Sequence, residues 1–185
     1  MLPRSLFAAL TLSALAIPCT AQVPTPTGGT TPAAAPADVA SIDAIITAVY
    51  DVISGPAGQA RDWDRFRSLF LSDAKLIPIL PQRGGAAWQV RYMTVEDFVA
   101  NGRGMEERGF FESEVARVAE QFEHMAHAFS TYESRWTPEG EVFQRGINSF
   151  QLLFDGERWW IVNIMWQGVG PEFEIPARYL GQEQR

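Results

Sequence analysis

The sequence predicts a single α+β domain, and three observations carry that expectation. Apolar residues recur at helical spacing in the first half of the chain, notably Ile42, Ile45, Ile46, Val49 and Ile53. The second half holds long stretches rich in aromatic and branched residues, Ala128 to Trp136, Val142 to Phe154 and Arg158 to Trp166, separated by Thr137-Pro138-Glu139-Gly140 and Asp155-Gly156. With 185 residues, 46% of them hydrophobic, the chain is long enough to bury one core and short for two. A net charge of -7 repels phosphate backbones and anionic lipid headgroups, so nucleic acid is not an expected partner.

Along the chain, the first segment reads as a targeting signal. Arg4 precedes an apolar run from Leu6 to Ile17, followed by Pro18 and the small-residue triplet Cys19-Thr20-Ala21. That run is about 12 residues, against about 20 for a spanning helix, so residues 1–21 are expected to be a secretory signal peptide cleaved after Ala21, with no membrane span. Acylation at Cys19 is the alternative, but Pro18, Ile17 and Ala16 fit a lipobox badly. Cleavage would remove the only cysteine and leave a net charge of -8, which suits an exported protein, periplasmic or secreted, without disulfides or a thiol nucleophile. Residues 22–37, with four prolines and no charge, are expected to be a disordered linker. The folded domain then spans 38–167, and residues 168–185 form a tail whose Phe173, Ile175, Tyr179 and Leu180 could pack as an arm.

Within the domain, Gly55-Pro56 stops the first helix. Asp62 can cap a second one whose Trp63, Phe66, Leu69 and Phe70 share a face and which ends before Asp73. A short strand, Lys75 to Leu80, and a Gly-rich turn at 82–87 lead to a strand from Trp88 to Met93. Thr94-Val95-Glu96-Asp97 resembles a capping box and opens a third helix ending at Asn101-Gly102. Phe111, Val115, Val118, Ala119 and Phe122 again repeat at helical spacing, so local pattern alone reads helix there. The last two strands are joined by what reads as a two-residue hairpin at Asp155-Gly156.

This order of elements resembles the SnoaL-like members of the nuclear transport factor 2-like (NTF2-like) superfamily. The matching pieces are Ile42 to Tyr50, the segment RSLFLSDA at residues 67–74, Thr94 to Phe98, Ala126-His127 through Ser130-Thr131-Tyr132-Glu133, Arg145-Gly146-Ile147-Asn148, and Gly156 to Val162. The resemblance implies a cone-shaped α+β fold in which a strongly curved mixed or antiparallel sheet wraps three helices around an open pocket, commonly as a dimer. It also implies a strand over Glu112 to Gln121, turning near Glu123-His124, against the local helix reading. Its members include isomerases, dehydratases, cyclases and plain binding modules, so fold does not settle activity.

A two-residue turn pairs Phe154 with Glu157 and Asn148 with Asn163, and the preceding turn sets Ser130 opposite Asn148. One face then carries Ser130, Asn148 and Asn163, with Tyr132, Phe150, Trp159 and Ile161 as neighbours. We assign it to the pocket, with Trp63 and Phe66 lining it from the second helix. No carboxylate or histidine lies on that row, so an acid for proton transfer would come from the helices, where Asp51 and Asp64 are nearest, or from His127 if the register slips. Tyr132 is the remaining catalytic candidate. The opposite face, with His127, Thr131, Glu133, Arg145, Ser149 and Gln151, suits a homodimer interface, and Glu133 and Arg145 face each other as a structural ion pair.

No metal site is expected, since Glu123 is the one close carboxylate beside His124 and His127; a helix there would align Glu120, His124 and His127. Gly84-Gly85 and Gly102-x-Gly104 lack the context of phosphate loops, and no cofactor is expected. The reading is an exported protein that binds a small apolar or aromatic molecule. The alternatives are an isomerase, dehydratase or cyclase acting by proton transfer, and a partner-binding domain with a filled cone.

Overall fold

A computed structural model describes residues 31–85, 87–170 and 174–181; residues 1–21, expected to be a signal peptide, and residues 22–30 of the expected linker lie outside the described residues. Pro36–Asp38 form one 3-10 turn, and Ala34 packs against the core. Helix α1 (Ile42–Ile53) starts where the Ser41 hydroxyl accepts a bond from the Ala44 N–H, and it buries Ile45, Ile46, Val49, Tyr50, Val52 and Ile53. Beyond it, the buried Arg61 ties the loop down by donating to the carbonyls of Ile53 (3.1 Å), Gly55 (2.6 Å) and Gln59 (2.6 Å).

Helix α2 (Trp63–Ser68) is capped by Asp62 as the sequence indicates, but it ends five residues before Asp73. The cause is tertiary. Ile161 N–H and Arg158 Nη2 take the Leu69 and Ser68 carbonyls, and the chain turns directly into strand β1 (Phe70–Pro81). β1 pairs with the three-residue strand β2 (Trp88–Val90), shorter than the sequence suggests. Thr94 and Asp97 make both bonds of the capping box at the start of α3 (Val95–Asn101), and an unanticipated short helix, α4 (Arg103–Arg108), follows.

From residue 111 onward the chain is strand: β3 (Phe111–Phe122), β4 (Met125–Arg135), β5 (Val142–Phe154) and β6 (Trp159–Gly168). The sheet order is β2-β1-β6-β5-β4-β3, antiparallel except for the parallel β1–β6 pair. The helical stripe in β3 is misleading because Val115, Val118 and Phe122 lie exposed on an edge strand, so pairing with β4 overrides local pattern. Ser130 does face Asn148, and Glu133 does face Arg145, with a 2.7 Å ion pair.

The β5–β6 register corrects the sequence reading. Asp155 Oδ1 accepts from the N–H groups of Glu157 and Arg158, which lengthens the turn so that Phe154 pairs with Trp159 rather than Glu157. A bulge at Val162 then sets Asn148 opposite Trp166 and sends Asn163 to the other face, opposite Gln151.

The curved sheet encloses a core of α1, Phe66, Leu69, Phe70, Phe150, Ile161 and Ile164. After β6 the tail crosses the outer face, where Thr131 Oγ1 donates to the Tyr179 carbonyl (2.5 Å) and Phe129 packs edge-on against Tyr179. The arm therefore covers part of the face expected to pair two copies; Phe173 lies outside the described residues. No helix among the described residues is long and apolar enough to cross a membrane.

Candidate functional site

An interior cavity of about 180 Å³ lies between the sheet, α1 and the α3–α4 corner. Its walls are mostly apolar, with Val49, Ile53, Phe66, Phe98, Met105, Phe110, Phe150, Ile164 and Trp166 among them. Three polar side chains interrupt that lining: Glu112, Tyr132 and Asn148. An apolar cavity of about 150 Å³ accommodates a benzene-sized molecule, so this one has room for a single-ring compound.

Glu112 is the residue that the sequence reading missed. It sits at the start of β3, opposite Ser134, and two features hold it there. The Ser54 hydroxyl at the end of α1 accepts from the Glu112 N–H (3.0 Å), and Gly55 and Phe110 exchange two backbone bonds. The residue is half-buried as a whole, and its carboxyl group is held by Ser134 Oγ, which donates to Oε2 (2.8 Å), and by Asn148 Nδ2, which reaches Oε1 (3.3 Å). Burial disfavours the charged form and pushes the carboxyl up to about 7, with the two donated bonds pulling it partly back.

Tyr132 is buried on β4 above Gly146 of β5; a methyl group on Gly146 would lie 2.5 Å from the Tyr132 hydroxyl, so only glycine leaves it room. That hydroxyl has no hydrogen-bond partner among the described residues, although it lines the cavity. Burial, and then the neighbouring Glu112 charge, push its pKa well above that of an ordinary phenol, so it is a donor at neutral pH.

The other expected site residues are distributed differently. Phe66, Phe150 and Asn148 line the cavity with Tyr132. Ser130 is buried behind the wall, bonded to Tyr50 and Glu114. Trp63 stands behind Phe66 and Phe98, its indole N–H held by Glu106 (2.8 Å). Trp159 packs on Phe154 at the far end of the cone, and Asn163 is on the opposite face because of the bulge at Val162.

The acid candidates other than Tyr132 lie outside the cavity. Asp51 pairs with Arg65 and Asp64 with Arg67, both carboxylates being mostly exposed. His127 is on the outer face, 3.4 Å from Glu120. His124 sits at the β3–β4 turn, with Nδ1 on the Phe154 carbonyl. Among the described residues no three His, Cys, Asp or Glu side chains converge as a metal site would require.

The architecture has solved counterparts. A protein of unknown function with a cystatin-like fold from Nostoc punctiforme superposes with a TM-score of 0.54 at 12% identity, covering 71% of this chain and 90% of that one. The fold is a mixed α+β, cystatin-like cone with a six-stranded sheet. A second cone, an uncharacterized protein with a cystatin-like fold from Caulobacter vibrioides, gives a TM-score of 0.50 at 15% identity over 71% of this chain and 89% of its own. A third, a candidate calcium/calmodulin-dependent protein kinase II association domain from Xanthomonas campestris, gives 0.51 at 14% identity over 71% and 87%. No protein-family model and no curated protein matches the chain. At these identities the likeness carries the fold alone, and chemistry must be argued from the cavity.

Proposed function

We propose that this cone is a proton-transfer enzyme for a small, largely apolar carbonyl compound, with Glu112 as the acid–base group and Tyr132 as donor to the carbonyl oxygen. The observation that carries the reading is a carboxyl group with a pKa near 7, placed in an apolar cavity beside an unpartnered phenol. A base of that strength can take a proton from the carbon next to a carbonyl and return it elsewhere, while the Tyr132 hydroxyl stabilises the negative charge that develops on oxygen. Such a transfer isomerises or dehydrates without a cofactor. A simple binding module is the second reading, favoured by the apolar lining, whereas a filled cone fits poorly with an interior cavity of this size. The leader-like N-terminus supports an exported setting. A homodimer would use the part of the outer sheet face that the tail leaves open, near the exposed Met125 and Val162.

The test is hydrogen–deuterium exchange at the α-carbon of small cyclic ketones and enones in D₂O, followed by proton NMR. The wild-type protein should accelerate exchange for at least one ring size. Glu112→Gln should lose about 10²-fold or more of that acceleration, as removal of a general base does. Tight binding of these compounds without exchange would leave the binding module instead.

A further inference from the structure

We infer that Glu114, which lies outside the cavity, is a positioning residue: through Ser130 and Tyr50 it fixes the amide of Asn148 so that its N–H points at Glu112. This rests on the reading of Glu112 as the acid–base group. The Glu114 carboxylate is clamped by Arg117, Nε to Oε1 (2.7 Å) and Nη2 to Oε2 (2.6 Å), and Arg117 Nη1 is in turn held by Asp43 at the start of α1 (2.6 Å). A carboxylate in an ion pair offers only lone pairs, so the Ser130 hydroxyl must donate to Glu114 Oε1 (2.6 Å). With its single proton committed, Ser130 can only accept from Tyr50, and the two oxygens are 2.5 Å apart. Tyr50 has then committed its own proton and can only accept from Asn148, whose Nδ2 lies 3.1 Å away.

The donor direction is thus imposed from one end of the chain to the other. It leaves Nδ2 of Asn148 shared between Tyr50 and Glu112 Oε1, and Asn148 Oδ1 without a partner among the described residues. Oδ1 becomes an acceptor available to a ligand hydroxyl or amide. Reversal of the chain would turn the amide around and set its oxygen against the Glu112 carboxylate, disfavouring the anion. The middle links, Ser130, Tyr50 and Asn148, are buried, so water does not readily substitute for them.

The ionisable groups around Glu112 are few. Tyr50 faces it from α1 and Tyr132 from β4, both with pKa values raised by burial. Glu114 is on its own strand, and Asp51 from α1 and Arg135 from β4 line an open cleft together with Glu112, Glu114 and Tyr50. No ionisable group of β5 or β6 lines the cavity with it.

Glu114→Gln separates this relay from simple charge proximity, because the two act with opposite sign. Removing a negative charge near Glu112 through space would make its carboxyl more acidic. A glutamine amide donating to Ser130 would reverse the chain, turn Asn148 and make Glu112 less acidic. The experiment is a ¹³C NMR titration of glutamate side-chain carboxyls in the intact protein. The Glu112 signal is identified by its loss in Glu112→Gln, and folding is checked by circular dichroism.

We expect the wild-type midpoint near 7 and a rise of about one pH unit, tenfold in proton affinity, in both Glu114→Gln and Tyr50→Phe. A midpoint near 7 that stays put or falls in folded Glu114→Gln overturns the relay and leaves the acid–base reading standing. Absence of any wild-type carboxyl titrating near 7 overturns both.

Discussion

Replacing Glu112 by glutamine should make the protein more stable at alkaline pH and not at acid pH. An ordinary glutamate titrates at 4.5, whereas the buried Glu112 carboxyl is pushed up to about 7. Between those values the folded state holds a proton that the unfolded state has released, so stability falls as pH rises and the full cost is present above about 7. A gap of about two and a half pH units, at about 1.4 kcal/mol each, corresponds to about 3.5 kcal/mol. The glutamine escapes that cost but loses the bonding pattern with Ser134 and Asn148, roughly 1 kcal/mol at any pH. Urea unfolding of both proteins at pH 4.5 and pH 8.5 therefore has a defined outcome. Glu112→Gln should be about 1 kcal/mol less stable than wild type at the lower pH and about 2.5 kcal/mol more stable at the higher one. Carboxylates held low by arginines, such as Asp38 with Arg65 and Glu96 with Arg67, titrate alike in both proteins and cancel in the difference. A stability difference that does not change with pH would refute the argument that the carboxyl is enclosed.

Three further outcomes follow from the same geometry. Gly146→Ala should cost about 1–3 kcal/mol by overpacking and displace Tyr132, visible as a loss of α-carbon exchange larger than the change in melting temperature explains. Arg61→Leu leaves the carbonyls of Ile53, Gly55 and Gln59 without their donor, so thermal unfolding should show a loss of about 3 kcal/mol or more. Asn148→Leu should abolish calorimetric binding of a ring ketone, whereas Asn163→Leu, on the opposite face, should leave it within about twofold of wild type.

The sheet core was legible from alternation through β4 and β5, the Asp62 and Thr94 caps, and the turn at 123–124 that the resemblance supplied. Two bulges hid the site. Counting back from the β3–β4 turn puts Glu112 opposite Arg135 and Glu114 opposite Glu133, on the outer face. The extra residue at Val115 moves them opposite Ser134 and Tyr132, facing the cone. The bulge at Val162 does the converse to Asn163. A one-residue slip flips every side chain beyond it, and neither bulge carries a glycine or proline to mark it. The early end of α2 was hidden for a related reason, because the groups that capture its last carbonyls, Ile161 and Arg158, lie about 90 residues away.

The most direct test of the central claim is the pH dependence of α-carbon exchange for a ring ketone, from pH 5 to 9, in wild type and Glu112→Gln. The account predicts a rate that climbs through a midpoint near 7 and levels off, with the titration absent from the variant. A rate that simply follows hydroxide concentration, or a variant with the wild-type profile, would contradict it.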